Sequence, residues 1–84
     1  MPLFMDVHNR LPEGATAADV SAAHAADLKI QDQYGVRYLN YWVDAAGGKV
    51  FCLVDAPDRD AANRVHREAH GLEAQVLHEV VQGA

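Results

Sequence analysis

The most constraining feature of the chain is a pair of strand-like segments joined by a short glycine loop, with a helix-like segment on either side. Val36–Asp44 and Lys49–Ala56 are dense in β-branched, aromatic and apolar residues, and Ala45–Gly48 separates them. This composition predicts a β-hairpin. An Ala-rich stretch precedes the hairpin and a second helix-like stretch follows it, so the chain order is helix, hairpin, helix.

Turn and cap signals bound the other elements. Thr16 and Asp19 form a capping-box pattern, so the first helix is predicted to begin there and to run to about Gln33. Gly35 is a plausible left-handed stop for this helix. The remaining predicted elements are a strand over Leu3–His8, a helix from Pro57-Asp58 to Gly71, and a strand over Gln75–Val81.

The resulting order, βαββαβ, predicts a ferredoxin-like α+β fold. Such a fold packs two helices on one face of a four-stranded antiparallel sheet and leaves the other face open. The 84 residues are expected to form one domain, 1–84. The third strand is apolar on both sides, which indicates that something covers the open face. A second copy of the chain is the simplest cover, so a homodimer through this face is predicted.

Alternation along the strands predicts which side chains lie beneath the helices. In the first strand the more apolar set is predicted to face the helices, and the other set to face the open side. In the second strand either alternating set could be the inner one. The first-strand sets are Leu3, Met5 and Val7 against Phe4, Asp6 and His8, and the second-strand sets are Val36, Tyr38, Asn40 and Trp42 against Arg37, Leu39, Tyr41 and Val43.

Charge and composition exclude several functions. The net charge of −5 argues against nucleic-acid binding, which needs a basic stripe. The lone Cys52 cannot form an internal disulfide, and its apolar neighbours indicate a small buried side chain. Because the sequence has no leader-like start and no long apolar run, a cytoplasmic location without membrane contact is expected. Phosphate loops, nucleophile elbows and zinc-protease motifs are absent, which favours a non-enzymatic role.

Histidine is over-supplied, with five in the chain. His66 and His70 are four residues apart near the end of the second predicted helix, so both imidazoles share one face and can bind one divalent metal ion. They flank the apolar stripe of that helix, which predicts that the pair is accessible. Because protonation competes with metal, binding is expected to weaken in mild acid.

The other histidines carry weaker signals. His8 ends the first strand, close to the end of the second helix in this topology, and Asp6 lies two residues earlier on the same sheet face. Both are therefore candidate metal ligands, after His66 and His70. A hydrogen-bonded structural role is expected for His24, and a structural or solvated role for His78.

Several short segments together resemble a family of small actinobacterial nickel-binding proteins. The resemblance implies a cytoplasmic, ferredoxin-like homodimer that binds Ni²⁺ in a nickel-responsive or sequestering role, with motif histidines at His8, His24, His66 and His70. The segments that carry it are Phe4–His8, Ala23–Leu28, Tyr34–Val36, Val50–Val54 with Ala56-Pro57, and Val65–Gly71.

Three functions are weighed. The first is non-enzymatic binding of a divalent transition metal, although imidazole and carboxylate ligands suit Ni²⁺, Cu²⁺ and Zn²⁺ alike. The second is a dimeric α/β-barrel enzyme or ligand-binding protein, similar to cofactor-independent monooxygenases, with a cavity against the sheet. A cavity lined by His8 or His24 would favour this second function. In this second function, the residues that line the cavity would be Asp6, His8, Asn40 and Trp42. The third function is a plain interaction module.

Overall fold

The hairpin and both helices are present in the computed structural model, which describes residues 2–83. Four antiparallel strands form one sheet, in the order β2-β3-β1-β4, and two helices connect them. This arrangement confirms the predicted ferredoxin-like α+β fold. Positions 1 and 84 of the predicted domain lie outside the described residues. The elements are β1 (Leu3–His8), α1 (Ala17–Ile30) with a 3₁₀ turn over Gln31–Tyr34, β2 (Arg37–Asp44), β3 (Lys49–Asp55), α2 (Arg59–Ala69) and β4 (Val76–Val80).

Side-chain caps begin both helices, and the capping box predicted for the first helix is confirmed. Thr16 and Asp19 form the reciprocal capping box at the start of α1. The Asp58 side chain accepts a hydrogen bond from the Ala61 amide at the start of α2. Gly35 ends the 3₁₀ turn with φ of 65°, a left-handed conformation that glycine adopts without strain. Within residues 2–83, neither helix has the length and apolar character needed to cross a bilayer.

The inner face of the sheet, beneath the helices, carries the main core. The predicted facing of β1 is wrong: Phe4 belongs to this core, and Asp6 and His8 are buried on the same side. The prediction failed because it assumed that the polar side chains of the strand are exposed. Asp6 and His8 instead contact His66 of the second helix. The buried core consists of Phe4, Val36, Tyr38, Val50, Cys52, Val54, Ala56, Ala62 and Val65.

A β-bulge decides the facing of β2. The register between β2 and β3 shifts between Tyr38 and Asn40, so neither of the two alternating sets faces inward along the whole strand. Tyr38 is buried in the core before the shift, and Tyr41 and Val43 pack against it after the shift. Trp42 is left on the opposite side, with half of its surface exposed.

The outer face of the sheet is largely apolar. Val7, Phe51 and Trp42 occupy matching register positions on three neighbouring strands, as do Met5 and Leu53. Val7 and Leu53 are buried, but Trp42 is 50% exposed. The outer face is therefore an apolar surface that neither helix covers.

Candidate metal centre

Donor side chains from four elements converge beneath α2. Asp6 and His8 share the inner face of β1 because they are two residues apart, and Cys52 lies directly opposite Asp6 on β3. His66 of α2 is only 1% exposed, and Asp27 of α1 is 2% exposed. A helix–sheet interface that is otherwise apolar thus encloses a polar cluster.

His66 is the centre of this cluster. Its Nε2 lies 2.8 Å from Oδ2 of Asp6 and 3.3 Å from Nε2 of His8. Its Nδ1 lies 3.0 Å from Oδ1 of Asp27. One imidazole ring is therefore held between two buried carboxylates, one from the sheet and one from α1.

His70 joins the cluster from the end of α2. Its Nε2 lies 3.1 Å from the same Asp27 oxygen and 3.2 Å from Nδ1 of His66. Its Nδ1 accepts a hydrogen bond of 3.1 Å from the Leu72 amide. Because Nδ1 accepts that bond, the hydrogen of the His70 ring is carried on Nε2, from which it can be donated to Asp27.

Asp6 has one satisfied oxygen and one unsatisfied oxygen. The Tyr38 hydroxyl donates to Oδ2 at 2.7 Å, and the same hydroxyl lies 3.1 Å from the Ala62 carbonyl. Oδ1 is buried without a hydrogen bond, and Nε2 of His8 lies 3.4 Å away. A buried carboxylate oxygen without a donor is costly unless a cation neutralises it.

The pKa values of the cluster follow from burial and from the mutual contacts of its members. Burial alone would lower the pKa of His66, but the hydrogen bonds with Asp27 and Asp6 outweigh it and raise the pKa to about 9. Burial favours protonation of both carboxyls, yet the contacts with His66 hold the pKa of Asp6 and of Asp27 below the ordinary range. Burial, together with the Asp6 carboxylate, raises the pKa of the Cys52 thiol well above its usual value. The cluster thus keeps both carboxyls charged and the thiol neutral.

Two overlapping sets of donors in this cluster could hold a metal ion. In each set, one ligand atom per residue lies within 4.8 Å of all the others. Both sets include His66, whose two ring nitrogens face opposite sides. The sets are Asp6, His8, Cys52 and His66, and Asp27, His66 and His70.

A cavity of about 260 Å³ lies over the cluster, between the sheet and α1. Its apolar walls include Leu11, Val20 and Leu72, and it is partly open to solvent. Both His8 and His24 line it, as the ligand-binding alternative requires. Of the four residues predicted to line that cavity, only His8 does. Asn40 and Trp42 pair with outer-face residues of β3, and Asp6 is not among the lining residues because it lies deeper, against His66 and Tyr38.

The structure brings the four predicted ligands together, but not in the predicted way. His66, His70, His8 and Asp6 form one connected cluster. The expectation that His66 is accessible from the side of α2 is wrong, because the ring is buried and both nitrogens contact carboxylates. His8 meets His66 and not His70.

The other two histidines are outside the cluster. His24 is half-buried and its ring lies against that of Tyr41, with centroids 4.8 Å apart. His78 is exposed and pairs with Met5 at the outer face, in accord with the solvated role expected for it.

Three members of the site were not predicted as site residues. From the sequence, Asp27 receives no role, Tyr38 appears only in one alternating set of the second strand, and Cys52 is expected only to be a small buried side chain. The spacing of His24 and Asp27 on α1 gives no sign of a contact with α2. The sequence carries no signal for Asp27, because its burial at 2% exposure and its contact with His66 arise only in the folded chain.

Comparisons with known proteins agree with this structure. A family described as nickel responsive protein SCO4226-like matches residues 4–80. The crystal structure of SCO4226 from Streptomyces coelicolor A3(2) superimposes with a TM-score of 0.87 at 38% sequence identity, covering 98% of this chain and 99% of that one. No match was found among curated proteins. The resemblance drawn from the sequence is thereby confirmed, and the chain belongs to the nickel-responsive SCO4226-like family.

Proposed function

We propose that this protein binds one divalent transition-metal ion per chain, nickel in its biological setting, at the buried cluster on the inner face of the sheet. Asp6, His8 and His66 supply the ligands. Asp27 and His70 orient the His66 ring, and Cys52 lies beside the ion as a neutral thiol. The role is non-enzymatic and is one of nickel response or sequestration. The observation that carries the proposal is the close approach of Nε2 of His66 to Oδ2 of Asp6, 2.8 Å apart in the buried cluster.

The hydrogen positions around His66 leave room for a cation. When the Nε2 proton of the His66 imidazolium is lost, the remaining hydrogen stays on Nδ1, where Asp27 accepts it. The lone pair of Nε2 then points at Oδ2 of Asp6, 2.8 Å away, and at Nε2 of His8, 3.3 Å away. Acceptors this close repel one another unless a proton or a metal ion lies between them. The unsatisfied Oδ1 of Asp6 faces the same region.

The spacing of these atoms also suits a metal ion. Bonds of about 2.1 Å place neighbouring ligand atoms roughly 3.0 Å apart at right angles and about 3.4 Å apart in a tetrahedron. The separations among the Asp6 oxygens and the two Nε2 atoms are 2.8, 3.3 and 3.4 Å. The donors therefore need little movement to bind a metal ion.

Charge balance favours a divalent ion over a proton. Asp6 and Asp27 are both buried and charged, so a single imidazolium at His66 leaves one negative charge uncompensated. Uncompensated buried charge costs several kcal/mol. A divalent cation with neutral imidazoles and a neutral Cys52 thiol removes that excess.

His70 is assigned a supporting role and not that of a ligand. A ligating Nε2 would need its hydrogen to move to Nδ1, where the Leu72 amide already donates. His70 instead helps to hold Asp27, which accepts from His66. A carboxylate that accepts the far N–H of a ligating histidine is the usual outer support of such a ligand, and its loss costs about 10- to 100-fold in affinity.

The donor types do not select nickel by themselves. Two imidazoles and a carboxylate also bind Cu²⁺ and Zn²⁺, and Cu²⁺ binds most tightly at a site of this kind. Nickel enters the proposal through the family, and metal supply in the cell would decide which ion is bound. A cytoplasmic location is part of the same proposal.

We also propose that two chains form a homodimer through the outer faces of their sheets. Half of the Trp42 surface is exposed beside an apolar row on β1 and β3, an arrangement that water-exposed sheet faces rarely keep. A symmetric pair of chains would cover this row and leave the metal cluster, on the other side of the sheet, unobstructed.

Calorimetric titration of the tag-free protein with Ni²⁺ tests the metal site. Wild type is expected to bind one ion per chain. His8→Ala should weaken binding at least 100-fold and Asp27→Ala about 10- to 100-fold, and His78→Ala, on the outer face, is the unchanged control. Binding no tighter than millimolar, or binding that survives His8→Ala intact, would contradict the proposal.

A further inference from the structure

The cavity over the histidine cluster combines apolar walls with acidic side chains, a combination that neither the core nor the proposed metal site requires. An engineered cavity of about 150 Å³ is enough to hold benzene. The present one, at about 260 Å³, has room for one ring and a short arm. Small-molecule sites are typically concave and apolar, with a few polar groups at one place. Here Leu11, Val20, Ala23 and Val50 contribute apolar wall, and the polar groups lie at one end.

Four histidines line the cavity, and the ring of one of them, His66, is already paired with Asp6 and Asp27. The other charged side chains of the lining are all acidic. Glu13, Asp19 and Asp27 contribute carboxylates, and none of the described residues that line the cavity is a lysine or an arginine. Asp19 is held by the helix cap, where it accepts from Thr16, so its charge is fixed at the rim. Such a lining disfavours carboxylates and phosphates and attracts cations.

Two groups can receive a cation inside the cavity. Asp27 is 2% exposed and lines the end where the imidazoles meet. Tyr41 presents an aromatic ring to the cavity beside His24, and such a ring attracts a cation near its face. The walls favour an apolar body and these groups favour a positive nitrogen.

We propose that the cavity binds a small organic amine with an apolar body of about ten non-hydrogen atoms, its protonated nitrogen directed to Asp27. The cavity adjoins the proposed metal site, since His8 and His66 line it, but the inference does not rest on metal binding. It assigns a use to the space between α1 and the sheet, which a purely structural core would have filled with side chains.

The test uses the EDTA-treated protein, so that its outcome is independent of nickel. Phenethylamine and phenylacetate, which are similar in size and opposite in charge, are titrated separately while ¹H–¹⁵N spectra are recorded. Phenethylamine should shift the amides of Val20, Ala23 and Leu72, with a Kd at least tenfold lower than that of phenylacetate. Equal affinities, or no shifts at these amides at millimolar amine, would overturn the proposal.

A matched pair of variants on α1 locates the binding. Ala23→Leu fills part of the cavity and should weaken phenethylamine binding at least tenfold, whereas Ala22→Leu, at an exposed neighbouring position, should leave it unchanged. Unchanged binding in Ala23→Leu would place the amine elsewhere and refute the inference. If Ala23→Leu does not fold, the map of shifted amides in wild type decides the question.

Discussion

The two faces of the sheet differ in a way that reverses the usual relation between polarity and exposure. The inner face buries two carboxylates and two histidines beneath the helices, among them Asp6 and His66 at 0% and 1% exposure. The outer face carries an apolar row, with Trp42 half exposed. In a protein built only for stability the two sets of side chains would be exchanged. The inner face therefore carries polar groups that stability alone does not require, and the outer face is the surface proposed for association.

The polar inner face is stable because its members satisfy one another. His66 bridges the two carboxylates, Tyr38 donates to Asp6, and His70 contacts Asp27. Removing one member leaves the others charged and unpaired, whereas an outer-face substitution leaves no such defect. The following predictions exploit this contrast, from the largest expected effect to the smallest.

His66→Ala should have the largest effect on stability. The change leaves two buried carboxylates without their imidazolium, and breaking a buried ion pair in this way costs about 3–5 kcal/mol. Urea denaturation of the metal-free protein measures the free energy of unfolding. His78→Ala, at an exposed outer-face position, should change it by less than about 0.5 kcal/mol. If the two variants changed the free energy of unfolding equally, the proposed difference between the inner and outer faces would be contradicted.

The stability of the metal-free protein should depend on pH through the inner face. The pKa of His66 rises on folding from 6.5 to about 9, so its contribution is complete below about pH 6.5 and is lost as the pH rises through 9. The expected loss is on the order of 3 kcal/mol. The lowered pKa values of Asp6 and Asp27 act in the other direction, because their contribution is present above the ordinary carboxyl range and is lost in acid.

Denaturation curves between pH 6 and 10 check this dependence, with His66→Gln as the matched variant. Glutamine keeps hydrogen-bonding capacity but cannot titrate, so the alkaline decline should be absent. An identical decline in His66→Gln would show that another group is responsible.

The outer face should respond to charge and not to pH. Trp42→Glu places a carboxylate in the apolar row and should convert the proposed dimer to a monomer, because burying an unpaired charge opposes association. Light scattering after size exclusion measures the mass. The variant should still bind nickel, since the cluster lies on the other side of the sheet. A monomeric wild type at micromolar concentration would contradict the proposed association.

Cys52→Ala should have the smallest effect. The thiol is assigned no bond to the metal, so nickel affinity should change by less than about threefold, well under one kcal/mol. Nickel binding should release close to one proton, from His66, which calorimetry in buffers of different ionisation enthalpy measures. Release of two protons, or loss of binding in Cys52→Ala, would make the thiolate a ligand.

The fold could be predicted because local signals agreed with the global arrangement. The Thr16 capping box, the Gly35 stop and the Ala45–Gly48 loop each fixed one boundary, and together they left one plausible topology. The bulge between Tyr38 and Asn40 was not predictable, since both alternating sets of β2 mix aromatic and polar residues. Tyr38, immediately before the bulge, donates its hydroxyl to Asp6 in the buried cluster.

The site could be predicted only in part. His66, His70, His8 and Asp6 were proposed as ligands from residue type and spacing, and the structure brings their side chains into one cluster. Their burial was missed, since it depends on Asp27, which is 39 residues from His66 in sequence and meets it only after folding. Helical periodicity placed His66 beside the apolar stripe, but the sheet and α1 close over it.

The central claim is that the buried inner-face cluster holds the metal. Anomalous scattering at the nickel edge, from crystals of the tag-free protein grown with Ni²⁺, tests it most directly. The account predicts one peak per chain within bonding distance of Asp6, His8 and His66. Ordered nickel found only at exposed side chains such as His78, with no peak at this cluster, would contradict it.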